Sequence, residues 1–251
     1  MLELTGKVAI VTGGGGDIGR AAAVTLAKQG AKVLVVDLNQ NAIDATLDAV
    51  RAAGGTAEGF KADVSKAADA EAYAQKAVDT FGAIDLFFNN AGIEGPAAPI
   101  PDYPEDAFDQ VFGVNVKGVW LGMKYVLPRM NEGGSVVNTA SVAGLIGSPG
   151  MSGYVMSKHA VIGLTRTAAL EQTSRNVRVN AICPAPIKGR MMQSIESNVG
   201  ATEEDAFKAM VPMGRYGTPQ EVANLAVMLL SDEASYLTGG HYTVDGGTTV
   251  T

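Results

Sequence analysis

Cysteine, histidine and basic residues are all scarce in this chain. Its one cysteine, Cys183, excludes an internal disulfide and a thiol-rich metal site. Neither of the two histidines, His159 and His241, has a carboxylate or thiol at ligand spacing, so we predict no catalytic metal. The 19 Lys and Arg are scattered and are outnumbered by 26 Asp and Glu, which gives a net charge of -7. A nucleic-acid partner is therefore not expected.

Long apolar runs are absent too, because none approaches the roughly 20 residues that a membrane span needs. The start, MLELTGKVAI, lacks the basic region and apolar core of a signal peptide. We therefore predict a cytoplasmic protein with no membrane partner. Hydrophobic residues make up 47% of the chain and charged residues make up 18%, and no shift in composition along the sequence marks a domain boundary. Residues 1–251 are expected to fold as a single domain.

Short apolar runs alternate with segments of helical period. The runs are apolar on consecutive residues, which is typical of strands covered on both faces. Three helical segments close with Gly30, Gly54 and Gly82, where a left-handed residue ends a helix. The pattern predicts an α/β fold, a single-domain doubly wound (Rossmann-type) parallel sheet of about seven strands with helices on both faces. A lid-like segment is expected at about 188–212. The strands are expected at residues 7–12, 31–37, 55–62 (the weakest), 83–89, 134–140, 177–183 and 241–245.

The stretch TGGGGDIG, residues 12–19, lies between the first strand and the first helix. Glycine there allows backbone to approach a pyrophosphate, and the helix N-terminus offers N–H groups to it. We therefore place Gly13, Gly16, Asp17, Ile18 and Gly19 in a dinucleotide site rather than in a plain flexible turn.

A carboxylate, Asp37, ends the second strand. There it can accept both ribose hydroxyls of an adenosine and repel a 2'-phosphate, and no Arg or Lys stands beside it or in the glycine loop. NAD is therefore predicted over NADP. Asp63, after the third strand, is predicted to meet the adenine amino group, with a cap of the following helix as the alternative.

Tyr154 and Lys158 are four residues apart, on one face of a predicted helix. A lysine cation favours the phenolate and so lowers the tyrosine pKa toward the range of a general base. Ser141, at the end of the fifth strand, can bond a substrate oxygen and stabilise charge that develops on it. The combination predicts proton transfer coupled to loss of hydride from an alcohol carbon.

Taken with these groups, the motifs resemble the classical short-chain dehydrogenase/reductase family from Lys7 to about Gly247. They are TGGGGDIG, NNAG at 89–92, Asn115 in GVNVKG, Ser141, YVMSK at 154–158, a proline after the sixth strand and VDGG at 244–247. The resemblance implies that Tyr154 is the acid/base and that Lys158 lowers its pKa and holds the nicotinamide ribose. It implies that Ser141 binds the reacting oxygen and that Asn115 keeps a water in a proton relay. Without the family, the alternative for Asn115 is a buried amide that satisfies backbone groups.

The resemblance also extends the predicted cofactor site and implies a homotetramer, with interfaces at the helix bearing Tyr154 and at the C-terminal segment. In that site, Val114 is expected on the adenine side. Three residues of NNAG are expected to shape the wall near the adenosine ribose. The added cofactor residues are Leu38, Val64, Asn89, Ala91, Gly92, Val114, Pro184, Ala185 and Ile187.

Three positions depart from the family pattern. Asp17 replaces a glycine, Ala185 replaces the glycine after Pro184, and Gly189 stands where the family has a threonine that contacts cofactor. Either Lys188 or Arg190 replaces that contact, or the lid binds cofactor less tightly. Asp tolerates left-handed backbone and suits a first helical turn. We therefore expect Asp17 to keep the glycine's backbone path and to turn its carboxylate away from the pyrophosphate onto backbone N–H groups.

The predicted substrate pocket is apolar and adaptable. Glu94, just after NNAG, is expected to face solvent. For the lid methionines, ordinary packing between lid and body is as good an interpretation as contact with substrate. The pocket favours a hydrophobic secondary alcohol or ketone, cyclic or aromatic ones included. Beyond Ser141 and Tyr154, it is assigned to Ala143, Leu145, Met151, Met191 and Met192.

Other activities fit the sequence less well. A 3-oxoacyl-carrier-protein or CoA reductase would use NADPH and a basic docking surface, against which Asp37 and the acidic segment 196–207 count. An enoyl reductase of the family separates its Tyr and Lys by six residues rather than three. A catalytically idle NAD-binding sensor or scaffold would not need the complete set of Asn115, Ser141, Tyr154 and Lys158.

Overall fold

The computed structural model describes residues 3–201 and 207–250, and seven strands of this part form one fully parallel sheet. The neighbour order is β3-β2-β1-β4-β5-β6-β7. The doubly wound fold is thus confirmed, including the weakest predicted strand, β3. The strands are Val8–Thr12 (β1), Lys32–Asp37 (β2), Thr56–Lys61 (β3), Leu86–Asn89 (β4), Ser135–Thr139 (β5), Arg178–Pro184 (β6) and His241–Val244 (β7).

Helices connect the strands and cover both faces of the sheet. The predicted glycine ends are confirmed, since Gly30, Gly54 and Gly82 have φ of 93°, 78° and 86°. A π-helical turn, Gly113–Gly118, joins the fourth and fifth helices into one rod. The α-helices are Asp17–Lys28 (α1), Gln40–Ala52 (α2), Ala67–Phe81 (α3), Glu105–Phe112 (α4), Val119–Val126 (α5), Ser152–Glu171 (α6), Arg190–Asn198 (α7) and Pro219–Leu230 (α8).

Two apolar cores lie on opposite faces of the sheet. Consecutive residues of β4 serve different cores: Phe87 packs with the face covered by α3, α5 and α6, and Phe88 packs with the face covered by α1 and α8. All residues of β1, β4, β5 and β6 are buried, as the unbroken apolar runs predict. Burying one such large side chain contributes about 1.5–3 kcal/mol.

The strand order reverses between β1 and β4, which pair in parallel with Thr12 opposite Asn89. In doubly wound sheets a crevice forms at such a reversal, outside the carboxyl ends of the strands. The glycine loop, NNAG and Ser141 therefore converge at one edge of the sheet.

The segment predicted as a lid, about 188–212, leaves the sheet and contains α7. Residues 202–206, which also belong to the acidic segment, lie outside the described residues. Among the helices of residues 3–201 and 207–250, none combines the length and the apolar character that a membrane span needs.

Candidate active site

The glycine loop is packed so closely that most of its members cannot carry a side chain. Gly13 has a φ of 62°, and a Cβ on Gly19 would lie 2.1 Å from the Gly13 carbonyl oxygen. A Cβ on Gly15 would lie 2.6 Å from the Cβ of Ala42, whereas one on Gly16 would meet only the Gly13 oxygen, at 3.3 Å. No described side chain caps α1 at Gly16. The loop therefore forms a tight cradle that leaves the N-terminus of α1 to an anionic ligand.

Asp37 holds this loop from the end of β2. Its Oδ2 accepts the Gly15 N–H at 2.9 Å, and its Oδ1 accepts the Asn39 N–H at 3.0 Å. The sequence places no basic residue in the loop itself, but Arg20 reaches back from α1. Its Nη2 donates to the Gly15 carbonyl at 3.1 Å and its Nε donates to Thr46 at 3.1 Å. These contacts engage the Arg20 guanidinium with the protein and leave the Asp37 carboxylate at the end of β2, where the sequence predicts a ribose.

At the predicted adenine end, Asp63 makes the contacts of a local cap. Its Oδ1 accepts the N–H and hydroxyl of Ser65 at 3.0 and 2.6 Å, and these bonds lower the pKa of the Asp63 carboxyl. Val64 packs closely against Gly118, since a Cβ on Gly118 would lie 3.0 Å from Val64 Cγ2. Leu38 is 63% exposed, and Val114 lies in the π-helical turn.

The two asparagines of NNAG have different surroundings. Asn89 is 2% exposed, and its Nδ2 donates inward to the Val119 carbonyl at 2.9 Å and to Asn138 at 3.2 Å. Asn90, which is not among the predicted site residues, donates from Nδ2 to the Thr12 carbonyl at 3.1 Å and accepts from the Thr139 hydroxyl at 3.1 Å. Asn90 thus ties together the ends of β1, β4 and β5. Its position within the NNAG motif was the sequence signal that could have identified Asn90 as a site residue.

The structure brings Ser141, Tyr154 and Lys158 together. Lys158 Nζ donates to the Thr139 carbonyl at 2.9 Å and lies 5.4 Å from the centroid of the Tyr154 ring. Burial is the largest influence on the Tyr154 pKa and raises it, and the Ser141 side chain lies close enough to Tyr154 to offset part of that rise. Ser141 Oγ also accepts from the Ala143 N–H at 3.2 Å. The hydroxyl, phenol and ammonium therefore form one cluster at the carboxyl edge of β5.

The electrostatics of this cluster correct the expected direction for Tyr154. Burial raises the pKa of Tyr154 to about 12, with a smaller upward effect from the charge of Glu94. Burial also lowers the pKa of Lys158 to about 8. Without a cofactor, desolvation is thus the largest effect on the Tyr154 pKa, and the phenol keeps its proton at neutral pH. Glu94 was expected in solvent, but it is half-buried and its charge acts on Tyr154.

Asn115 is fully buried in the π-helical turn. Its Nδ2 donates to the Ile93 carbonyl at 2.8 Å and to Ser157 at 3.0 Å, and its Oδ1 accepts the Ile93 N–H at 2.9 Å. A Cβ on Gly92 would lie 3.3 Å from Asn115 Oδ1 and 3.4 Å from Lys158 Nζ. The Asn115 side chain therefore satisfies backbone groups and also positions the segment after NNAG against α6. Because Gly92 has no side chain, the Asn115 and Lys158 side chains can approach its backbone. Ala91 is the residue just before it.

Asp17 is the first residue of α1, and its backbone is not left-handed, because Asn176 alone among the described non-glycine residues has a positive φ. The tolerance of aspartate for left-handed backbone is therefore not needed here, because the Asp17 backbone is helical. The expected turn of the carboxylate onto backbone is confirmed, since Oδ2 accepts the Arg190 N–H at 2.8 Å. Ile18 follows it in the first turn.

The segment after β6 is pinned at several points. The Pro184 carbonyl accepts from Ser141 Oγ at 3.3 Å, and the Ala185 N–H donates to the Val244 carbonyl at 3.1 Å. Ile187 forms an isolated bridge with Gly217. The chain therefore passes directly from the catalytic cluster to α7.

The residues assigned to the substrate pocket differ in exposure. Met192 is 8% exposed and Met191 is 38% exposed, so the two lid methionines point to different surroundings. Ala143 is buried, Leu145 packs against the core, and Met151 bridges Ala98 before α6. Within residues 3–201 and 207–250, no group of three His, Cys, Asp or Glu is arranged to hold a metal ion.

Known proteins with similar sequences share nearly the whole chain. A family model described as enoyl-(acyl carrier protein) reductase matches residues 15–249. The chain is 41% identical over 249 residues to the cyclohexanol dehydrogenase of Acinetobacter sp. (strain SE19), covering 98% of this chain and 96% of that protein. It is 36% identical to a 3-oxoacyl-(acyl-carrier-protein) reductase of Thermotoga maritima, covering 98% and 99%.

Solved structures show the same architecture at similar identity. The crystal structure of levodione reductase superposes with a TM-score of 0.96 at 40% identity, covering 99% of each chain. The crystal structure of NAD+-bound xylitol dehydrogenase superposes with a TM-score of 0.92 at 37% identity, covering 97% of this chain and 99% of that chain.

Proposed function

We propose that this chain, which belongs to the classical short-chain dehydrogenase/reductase family and is an oxidoreductase, interconverts a hydrophobic secondary alcohol and its ketone with NAD(H). The observation that carries the proposal is the cluster of Ser141, Tyr154 and Lys158 at the sheet edge that also bears the glycine cradle and Asp37. A proton-transfer group and a dinucleotide site at one edge are what hydride transfer to a nicotinamide requires.

A nicotinamide bound at this site would supply the hydride acceptor for oxidation of the alcohol and the hydride donor for reduction of the ketone. In oxidation, the C–H bond breaks with its electron pair leaving as hydride, and the O–H proton passes to the Tyr154 oxygen as the C=O bond forms. Ser141 donates to the same substrate oxygen and orients it. In reduction, the neutral Tyr154 phenol gives its proton to the ketone oxygen, which agrees with its raised pKa of about 12.

Deprotonation of Tyr154 for oxidation requires additional positive charge beside the phenol. Lys158 is held near the ring by Thr139, and an oxidised nicotinamide adds a second cation when bound. We assign the nicotinamide ribose to Lys158 and the proton relay to Asn115, whose turn adjoins Lys158 at Gly92.

The proposed preference for NAD rests on Asp37. A carboxylate at the end of β2 accepts ribose hydroxyls and repels a phosphate in their place. The carboxylate already orders the loop through Gly15, so its position is fixed before any ligand arrives. The likeness to NAD+-bound xylitol dehydrogenase supports the same cofactor.

For the substrate we propose a cyclic secondary alcohol or ketone. The assigned lining is apolar apart from the reacting groups, and Met192 is buried where the lid meets the body. Cyclohexanol dehydrogenase and levodione reductase, both close to 40% identical to this chain, are named for cyclic substrates.

A second candidate is reduction of a 3-oxoacyl thioester, favoured by the relative of that name in Thermotoga maritima. Asp37 counts against it through its repulsion of NADPH. Enoyl reduction is not proposed, because three residues rather than six separate Tyr154 from Lys158. An idle NAD-binding scaffold would leave the clustered Ser141, Tyr154 and Lys158 without a use.

The decisive experiment is a spectrophotometric screen of the purified chain against cyclic and open-chain secondary alcohols and ketones, with NADH and NADPH followed separately. We expect turnover of cyclic substrates with NADH above NADPH. A 3-oxoacyl thioester turned over faster with NADPH would favour the second candidate. NAD binding without turnover of any substrate would favour the scaffold.

We also propose a single domain spanning the chain and a homotetramer in solution. Large apolar side chains on α5 and α6 support assembly, since Trp120, Met156 and Leu170 are 46%, 51% and 76% exposed. Sedimentation velocity measures the assembly directly. The cytoplasmic location stays a prediction.

A further inference from the structure

Asp17 connects two segments that are 173 residues apart in sequence. Its Oδ2 lies 2.8 Å from the backbone nitrogen of Arg190, the first residue of α7. Gly189 provides no side-chain cap to α7. The carboxylate from the glycine loop therefore does for α7 what an N-cap side chain ordinarily does within its own helix.

Two helix N-termini meet at this one carboxylate. Asp17 is the first residue of α1 and bonds the first residue of α7, so both positive helix ends face the same negative charge. The bond is exposed to solvent, and its strength is that of an ordinary cap rather than of a buried ion pair.

Gly189 is the steric counterpart of Asp17. A Cβ on Gly189 would lie 2.4 Å from Asp17 Oδ2 and 3.0 Å from its Cγ, and the φ of Gly189 is 156°. A side chain at 189 therefore requires Asp17 to leave its place. The departures from the family pattern at 17 and 189 are therefore coupled, because the Asp17 carboxylate occupies the space that a side chain at 189 would need.

The helix positioned in this way carries the lid methionines. Met192 is buried two residues after Arg190, and the far part of α7 is held separately, because the Tyr216 hydroxyl donates to Glu196 at 2.7 Å. Releasing Asp17 therefore frees the start of α7, next to Met192, while the Tyr216 contact remains.

We infer that Asp17 is a positioning residue for the substrate site. Its carboxylate fixes α7 to the glycine loop, so that the cofactor cradle and the lid methionines form one unit. Position 189 is glycine because a larger residue would collide with the Asp17 carboxylate. The kinetic consequence rests on the proposed function. The Michaelis constant for substrate depends on Asp17 although Asp17 contacts no substrate.

The test is a double-mutant cycle of Asp17→Gly and Gly189→Ala, read first by hydrogen exchange of the cofactor-free chain. We expect Asp17→Gly to speed exchange at the first turn of α7 by about threefold to tenfold, as loss of a cap does. Asp17→Asn keeps an acceptor oxygen and restores most of the protection. Gly189→Ala disturbs α7 in the parent chain but adds little in the Asp17→Gly background.

Tyr216→Phe is the matched control, because it removes the hydroxyl that bonds Glu196 and the Phe207 N–H and leaves the Asp17 contact intact. Its effect should add to that of Gly189→Ala. On an active substrate, Asp17→Gly should raise the Michaelis constant several-fold with a smaller change in kcat, and Asp17→Asn should recover it.

Equal effects of Gly189→Ala with and without Asp17, or unchanged exchange in Asp17→Gly, would overturn the inference. Tighter NAD binding by Asp17→Gly with an unchanged Michaelis constant for substrate would also overturn it. The exchange cycle needs no turnover, so failure of the proposed function leaves its result standing.

Discussion

Lys158 Nζ is held 2.9 Å from the carbonyl oxygen of Thr139, two residues before Ser141. The ammonium is thus anchored to the end of β5 by a backbone group and not by the Tyr154 hydroxyl. Thr139 in turn donates its hydroxyl to Asn90, which bonds the Thr12 carbonyl at the start of the glycine loop. The cofactor cradle and the lysine are therefore connected by hydrogen bonds that bypass Tyr154.

Replacing Tyr154 with Phe should abolish proton transfer and spare the cofactor site. We expect kcat to fall by about 10²–10⁴-fold, the range of a lost general acid/base. The dissociation constant for NAD should change little, because Lys158 keeps its bond to Thr139. Steady-state rates and fluorescence titration with NADH measure the two effects. Full activity in this variant would remove Tyr154 from the chemistry.

Lys158 makes the stability of the cofactor-free chain depend on pH. Its pKa is lowered from 10.5 to about 8, so between these values the unfolded chain binds more protons than the folded chain. Stability from this group is therefore gained as pH rises through the window and lost as pH falls through about 8. Relative to Lys158→Met, the parent chain should gain about 2–3 kcal/mol between pH 7 and pH 10.

Urea unfolding of both proteins across this range checks the Lys158 prediction. Other titrating groups are common to the two chains and largely cancel in the difference. A difference in unfolding free energy that stays flat with pH would show that the folded chain holds Lys158 with its ordinary pKa.

Asp37 should decide between the two dinucleotides. Asp37→Asn removes the charge and keeps one oxygen for the Gly15 or Asn39 N–H. We expect kcat/KM with NADP to rise about 10- to 100-fold relative to that with NAD, because a like-charge clash costs several kcal/mol. Paired assays with both cofactors on one substrate measure the ratio. A ratio unchanged from the parent would place the 2'-hydroxyl elsewhere.

Two glycines of one loop should differ strongly in their sensitivity to the same substitution. In Gly19→Ala the new Cβ would lie 2.1 Å from the Gly13 carbonyl oxygen, so the loop must shift, and we expect a loss of about 2–4 kcal/mol and of NAD binding. In Gly16→Ala the nearest atom is 3.3 Å away and φ is -76°, so the cost should stay under about 1 kcal/mol. Thermal unfolding with and without NAD separates the two. Similar losses would contradict the close approach at Gly19.

The fold was predictable because its signals are local. Each buried strand is a short apolar run, and Gly30, Gly54 and Gly82 end helices through their own backbone preference. Even the edge strand β3, whose sequence TAEGFK is the least apolar, followed from the need for a strand between α2 and α3. Tyr154 and Lys158 were predictable as a pair because a helix fixes their spacing.

Contacts between distant segments were not predictable in this way. Asn89 and Asn90 both bond residues of β1 and β5, and only the folded strand ends show that Asn89 does so from the buried side and Asn90 from the strand ends. The contact of Asp17 with Arg190 depends on where α7 begins relative to α1. The pKa of Tyr154 depends on desolvation, which is a property of the whole packed site. Glu94 was misjudged for the same reason.

Because all the strands run in one direction, the two ends of the sheet differ as places to attach a purification tag or a surface linkage. β1 enters the sheet at its amino edge, and the exposed first residue of β2, Lys32, lies at that same edge, a sheet length away from the catalytic cluster. The chain after β7 instead leaves at the carboxyl edge, where Gly246 packs against Val211. A purification tag or surface linkage joined ahead of β1 therefore lies at the sheet edge opposite Ser141, and one joined after β7 lies at the edge of the proposed substrate site.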